Sequence, residues 1–292
     1  MELAKKLSDT RNQVLLAFEL TEEDVNGYMT ELKNWLKTQK HLPSDLLKDD
    51  LLERFLLKNK FSLEKTKTKI ENYCTIRSKY RKFQQNYVEI IPSKEHAFPI
   101  PMFEVCNDLQ RLIICRIPDE AKFDFPRSIR SVLLMLEIES RLDYSCGDKF
   151  LVDLAGSTAK LITKINFLLL KDTINLAIKA YSARVKAVHF INSPKIIKVL
   201  MAILKTIVPG KIFNRIHIHQ NLESLYEYVP KSNLPVEYGG DLKCLKEFLA
   251  DYDRIFEECQ ELFEMALHTT SNEKLRTINC TPEGTFRKLQ ID

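Results

Sequence analysis

Glycine is scarce in this chain, with seven in 292 residues and none arranged as GxGxxG or GxxxxGK[ST]. Dinucleotide-binding and P-loop enzymes need glycine where the backbone closes on phosphate, so both classes are excluded. GxSxG and HExxH are missing as well, which leaves no elbow-type hydrolase and no zincin. No apolar run reaches the roughly 18 residues that cross a bilayer. The start, MELAKKLSDTRNQ, lacks a signal-peptide core, and Glu2 stands where acylation would need glycine. Cys74, Cys106, Cys115, Cys146, Cys244, Cys259 and Cys280 are odd in number and contain no CxxC pair. Reduced thiols in the cytosol are expected, not a disulfide frame or a zinc site.

What is present suits a folded protein of one large domain, or a large one with a small one. Hydrophobic residues make up 45% and charged residues 29%. The net charge of +4 hides an asymmetry. Between Lys160 and Arg215, nine lysines and two arginines face one acid, Asp172, a net +10; from Ile216 onward the balance is −6. These bases are spread through apolar sequence, so they form a basic face on folded elements. Such a face suits anionic lipid or nucleic acid, or it is an ordinary solvated surface.

Periodicity organises the rest. Residues 1–20 read as a loose lead-in. Thr21 and Asp24 form a capping pattern, and Tyr28, Leu32, Trp35 and Leu36 then recur at helical spacing. Second and third helices are predicted from Asp45 to Lys58 and over 62–83, giving a small bundle. Pro92, Pro99 and Pro101 exclude a long element. LIICRI (112–117), FLVDLAG (150–156), VKAVHFIN (185–192) and RIHIH (215–219) read as strands. Helices are predicted over 127–143, from Thr158 to Ala180, and from Leu242 to about residue 268, with a loose tail after it. Alternating strands and helices predict an α/β domain with a partly parallel sheet. The division is 1–20 lead-in, 21–90 helical domain, 91–268 main domain and 269–292 tail.

One stretch is anomalous. In SPKIIKVLMAILKTIVPGK (193–211) the apolar residues cover roughly 200° of helical arc, with Lys198 and Lys205 on the remaining strip. A helix that only covers a core needs a narrower stripe. Other candidates are weak. His217 and His219 share a strand face but lack a third metal ligand nearby. Asp153 ends a strand without a partner carboxylate, which favours a capping role over catalysis. Nucleic-acid binding would place aromatics among the bases, whereas here Ile, Leu, Val and Met intervene.

LLERFLLKNKFSLEKTKTKIENYCTIR (51–77) resembles the amino-terminal helical segment of CRAL-TRIO proteins. The order that follows is similar too: GDKFLVDLAG (147–156), YSARVKAVHFINSP (181–194), the apolar helix, KIFNRIHIH (211–219) and LPVEYGG (234–240). Within that family the likeness is to the α-tocopherol transfer and cellular retinaldehyde-binding branch, especially its insect members. The resemblance implies a helical bundle followed by a mixed, mostly parallel five-stranded sheet flooring a hydrophobic cavity. It implies a carrier without covalent chemistry or cofactor, holding one lipid such as a tocopherol, retinoid or carotenoid and delivering it to membranes. The alternative is a membrane adaptor that senses phosphoinositide and transfers little.

By the same resemblance, residues 195–208 form a gate with Leu200, Ile203, Leu204 and Val208 facing inward and Ile197 at its root. The wall would be Val152, Ile165, Thr173, Leu176, Ala177, Tyr181, Ala183, Val185 and Val188, with the Thr173 and Tyr181 hydroxyls available to a polar end group. Arg184, Lys186, Lys211 and Arg215 match the branch's phosphoinositide-binding positions, and strand alternation places Arg184 and Lys186 on one face. Three positions depart from the family: Ser182 and Thr206 stand where proline is usual, and Gln220 where glycine is. Glu237 stands where phosphatidylinositol carriers tend to have lysine, so phosphoinositide is expected as a surface partner and not as cargo.

Overall fold

Thr21 and Asp24 close a capping box at the head of α2 (Glu22–Thr38), whose Val25, Leu32 and Leu36 turn inward. The structure, a computed structural model, describes residues 2–76, 98–116 and 120–276. Ahead of α2 lies α1 (Glu2–Ala17), with Val14 and Leu15 buried and Phe18 packed beside them. The loose lead-in expected over 1–20 is therefore corrected: three apolar side chains give it a face to bury, and Arg11 pairs with Glu22 and Glu53. A 3-10 turn over Ser44–Leu46 delays the next helix, so α3 runs from Asp49 to Lys58 and α4 from Leu63 to Ile76. The predicted continuation over 77–83 lies outside the described residues.

Pro99 and Pro101, expected to exclude a long element, lie within the eight-residue β1 (Phe98–Val105), a strand the sequence reading did not place, which pairs antiparallel with β2 (Arg111–Arg116). β1 is an edge strand, where a residue without an N–H can face away from the ladder and disrupt no pairing. Pro92 lies outside the described residues. The sheet continues in parallel through β3 (Asp148–Asp153), β4 (Val185–Ile191) and β5 (Ile216–Ile218), in the order β1-β2-β3-β4-β5. This is the mixed, mostly parallel five-stranded α/β sheet that the resemblance implies.

Helix α5 (Phe125–Leu142) joins the two halves. Its Ile129, Leu133 and Leu136 enter the core of the bundle, while Leu134 and Ile138 enter a second core behind the sheet. The single helix expected from Thr158 to Ala180 is two, α6 (Ala159–Lys164) and α7 (Phe167–Lys179). Asn166 breaks it by accepting the N–H of Leu169 at 3.0 Å as the cap of α7. The apolar stretch forms α8 (Ile197–Ile207), unbroken by proline, and α9 (Gly210–Phe213) follows. Helix α10 (Leu222–Tyr226) lies after β5, and the last predicted helix divides at Cys259 into α11 (Leu245–Glu258) and α12 (Gln260–His268).

The tail is also corrected over 269–276. Thr269 is fully buried, and the N–H groups of Ser271 and Asn272 donate to the carbonyls of Cys74 and His41. Arg276 donates to Glu71 at 2.9 Å, and Glu71 also pairs with the buried His41 at 2.8 Å. This segment straps α12 to the amino-terminal bundle; residues 277–292 lie outside the described set.

Candidate functional site

The two faces of the sheet are filled differently. On the back, Leu112, Ile114, Leu151 and Ile191 are buried under helices α10 to α12. On the front, strand register aligns Ile113, Phe150, Val188 and Ile216 in one row and Cys115, Val152, Phe190 and Ile218 in the next. Of these, Phe150, Val152 and Val188 stay half-accessible although β3 and β4 are interior strands, as does Ile216 on the edge strand β5. Side chains in the middle of a sheet that neighbours cannot seal face open space.

Helix α8 roofs this face. Leu200 and Leu204 are buried against Leu154, Leu161 and Phe190, and Ile197, Met201, Ile207 and Val208 pack beside them with Val152, Ile165 and Val188. Seven of the expected lining residues thus meet here: Val152, Ile165, Val188, Ile197, Leu200, Leu204 and Val208. Ile203 is half-buried but outside this cluster. Five others go elsewhere, and the expected wall is corrected accordingly. Leu176, Ala177, Tyr181 and Ala183 pack into the core shared with the bundle, and Val185 lines a separate cleft. The Tyr181 hydroxyl donates to the buried Glu137 at 2.5 Å, beside Tyr73 at 2.9 Å, and the Thr173 hydroxyl donates to the carbonyl of Leu169. Both hydroxyls are engaged within the protein. Phe190, Leu154 and Ile216 were missed by the sequence reading, although strand alternation puts Phe190 on the face of Val188.

Arg184, Lys186, Lys211 and Arg215 do converge. They line one cleft of about 530 Å³ between the bundle and the start of β4. Four further cations from the α3–α4 side complete it: Lys58, Lys60, Lys65 and Lys69. No acid lines it. The halves are tied by Asn59, whose amide donates to Ser182 Oγ at 3.0 Å, and by Lys69, which donates to the carbonyl of Ile178 at 2.6 Å. Ser182 has φ of +57°, a conformation closed to the proline usual in the family. Gly147 lies beneath: a Cβ there would come within 2.6 Å of the Arg184 carbonyl and 2.8 Å of Lys186.

Cations crowd one another in this cleft. Burial, then the neighbouring Arg184, lowers the pKa of Lys186, and burial with Lys179 lowers that of Lys69. Lys58, only 6% exposed, behaves oppositely: burial opposes its charge, but Asp148, Asp143 and Glu139 behind it outweigh that and raise its pKa. An arriving polyanion would relieve the crowding.

Residues 106–240 match the CRAL/TRIO domain family, and residues 21–87 match a Pinta-like UBA domain. The chain carries a CRAL/TRIO domain. Human alpha-tocopherol transfer protein-like is 29% identical over 213 residues, 68% of this chain and 60% of that protein. Clavesin-1 of Xenopus laevis is 32% identical over 127 residues, 42% of this chain and 38% of that protein. The chain thus matches about 60% of the length of the first of these relatives. A crystal structure of Sfh5 superposes with a TM-score of 0.49 at 15% identity, covering 87% of this chain and 98% of that one. Proteins of the CRAL-TRIO family bind and transfer lipophilic ligands.

Asp153 and Glu237, both singled out in the sequence, have structural partners. Asp153 accepts from Asn192 at 2.8 Å, Tyr238 at 3.2 Å and the N–H of Ala155 at 2.9 Å, the capping role expected of it. Glu237 accepts the N–H of Leu245 at the start of α11. His217 and His219 gain a third histidine, His189, whose Nδ1 lies 2.9 Å from His219 Nε2. Its ring stacks on His217, with ring centroids 5.2 Å apart, so the three do not converge on one point. Glu139, Asp143 and Asp148 bring carboxylate oxygens within 4.8 Å of one another, but Arg111 and Lys58 already occupy their charge. Among the described residues no helix is long and apolar enough to cross a membrane.

Proposed function

We infer that this protein carries one hydrophobic lipid between the front face of the sheet and α8, and delivers it to membranes whose phosphoinositide headgroups enter the basic cleft. The observation that carries this reading is the contrast between a filled back face and a half-open front face on the same interior strands. Burying about 500 Å² of lipid surface there at about 25 cal/mol per Å² contributes on the order of 12 kcal/mol before association costs. The human relative's name points toward a tocopherol-like cargo, and a retinoid or carotenoid has the same apolar character. Helix α8 serves as the gate, hinged between Pro194 and Pro209. The front wall is apolar, no cofactor is needed, and membrane contact is transient.

The cleft supports the second half of the reading because, among the described residues, it offers eight cations and no competing acid. Cations near an anionic surface contribute about 1 kcal/mol each. Lys65 and Lys211 are both exposed, one on each side. The double variant Lys65→Glu, Lys211→Glu is expected to fold and load lipid normally, but to deliver it to phosphatidylinositol bisphosphate vesicles about 30-fold more slowly or worse. Delivery at the native rate refutes the cleft assignment. A protein that binds such vesicles tightly yet never contains lipid is instead an adaptor.

A further inference from the structure

Leu134 and Ile138 of α5 enter the core behind the sheet, and Arg141 completes the same helical stripe. Arg141 is only 2% exposed, and a guanidinium in a protein does not shed its charge. Its Nη1 reaches the sulfur of Met265 on α12 at 3.9 Å, while Nε and Nη2 have no hydrogen-bond partner among the described residues. The acids of α5 are committed elsewhere. Glu137 accepts from Tyr73 and Tyr181, and Glu139 lies with Asp143 and Asp148 beside Lys58. The neighbouring Cys259 is no counter-charge either, because burial, then Glu258, pushes its thiol up to about 11 against the pull of Arg141. A buried charge left unpaired is strongly destabilising.

The two donors identify the occupant. Nε–H and Nη2–H point the same way from one edge of the guanidinium, the fork that holds both oxygens of a carboxylate. Arg111 uses that same edge in this chain: its Nε and Nη2 donate to the two oxygens of Asp143 at 2.7 and 2.5 Å. We propose that Arg141 is the receptor for a planar two-oxygen anion, a carboxylate or bicarbonate, bound between α5 and α12. Chloride is a single point of charge and does not match the spacing of the fork. Met265 is half-buried where it touches Arg141, and its flexible thioether can swing aside to admit the anion. Helix α12 leads into the segment that straps it to the amino-terminal bundle, so an anion here fastens the root of that strap to α5. The site lies behind the sheet and does not depend on the carrier reading.

The test is thermal melting of the full chain in chloride, acetate and bicarbonate at equal pH and ionic strength. Acetate or bicarbonate is expected to raise the native melting temperature by about 2–4 °C over chloride at tenfold the half-saturating concentration. Arg141→Lys keeps the charge without the fork, and Arg141→Met removes both, so neither should respond. Equal native melting in all three salts, or a full acetate response in Arg141→Met, overturns the proposal. Saturation-transfer NMR of acetate on the native chain needs no variant to fold: transfer that bicarbonate displaces and chloride does not is expected, and no transfer overturns the site. Decanoate separates the sources of the carboxylate. On Val188→Trp, which fills the space in front of the sheet, a decanoate response equal to that of acetate assigns the site to a fatty-acid head, and a response to acetate alone assigns it to a small free anion.

Discussion

Val188→Trp is expected to leave the protein folded and empty. Val188 sits on β4, an interior strand flanked by β3 and β5, and stays half-accessible beneath α8. If the space above it holds a lipid, an indole takes the same volume without displacing protein atoms. Lipid recovered per chain should fall more than about tenfold, with little change in melting temperature. The matched variant is Leu151→Trp, on the neighbouring strand but on the back face, where Leu151 is fully buried among α10 to α12. Overpacking that filled core should cost about 3 kcal/mol. Equal destabilisation by the two tryptophans would mean that both faces are solid.

Arg111→Met should destabilise the fold by about 3–5 kcal/mol, because it strands a buried carboxylate. Arg111 and Asp143 are both buried and joined by two hydrogen bonds of 2.7 and 2.5 Å, and Arg111 also donates to the carbonyl of Met102. Burial alone would raise the pKa of Asp143, but Arg111, with Lys58 and the N–H of Ser145, holds it well below the usual carboxylate range. Its stabilising contribution is present above the unfolded pKa near 4 and is lost as pH falls further. His189 acts in the same direction at milder acidity. Burial, then His219 and His217, pushes its pKa down to about 3, so the unfolded chain takes up a proton first. Stability should therefore decline as pH drops from about 6.5 toward 3. Thermal melts across that range check both: Arg111→Met should melt lower at every pH, and His189→Gln should lose the upper part of the acid decline.

The residues that were legible in the sequence are those whose role is local or follows a short period. The Thr21–Asp24 box, strands β2 to β5 and the continuous α8 belong to this group, as does the placing of Arg184 and Lys186 side by side. Errors arose where a distant partner decides. Pro99 and Pro101 are tolerated because β1 happens to be an edge, which only the assembled sheet reveals. Tyr181 looked free to meet a ligand until Glu137, 44 residues earlier, came within reach. Lys58, Lys60, Lys65 and Lys69 are an ordinary lysine-rich helix junction in sequence; their place in the cleft depends on facing a strand more than a hundred positions later. The asymmetry between the faces of the sheet was out of reach for the same reason, since alternation marks which side chains share a face but not how well the opposite layer fills it.

The carrier account stands on one quantity, the amount of lipid held by the native protein. Organic extraction of the full chain purified from its native source, quantified by mass spectrometry, is expected to yield about one hydrophobic molecule per chain, and a small fraction of that from Val188→Trp. Native protein that yields no lipid, or a Val188→Trp variant that yields as much as the native protein, would contradict it.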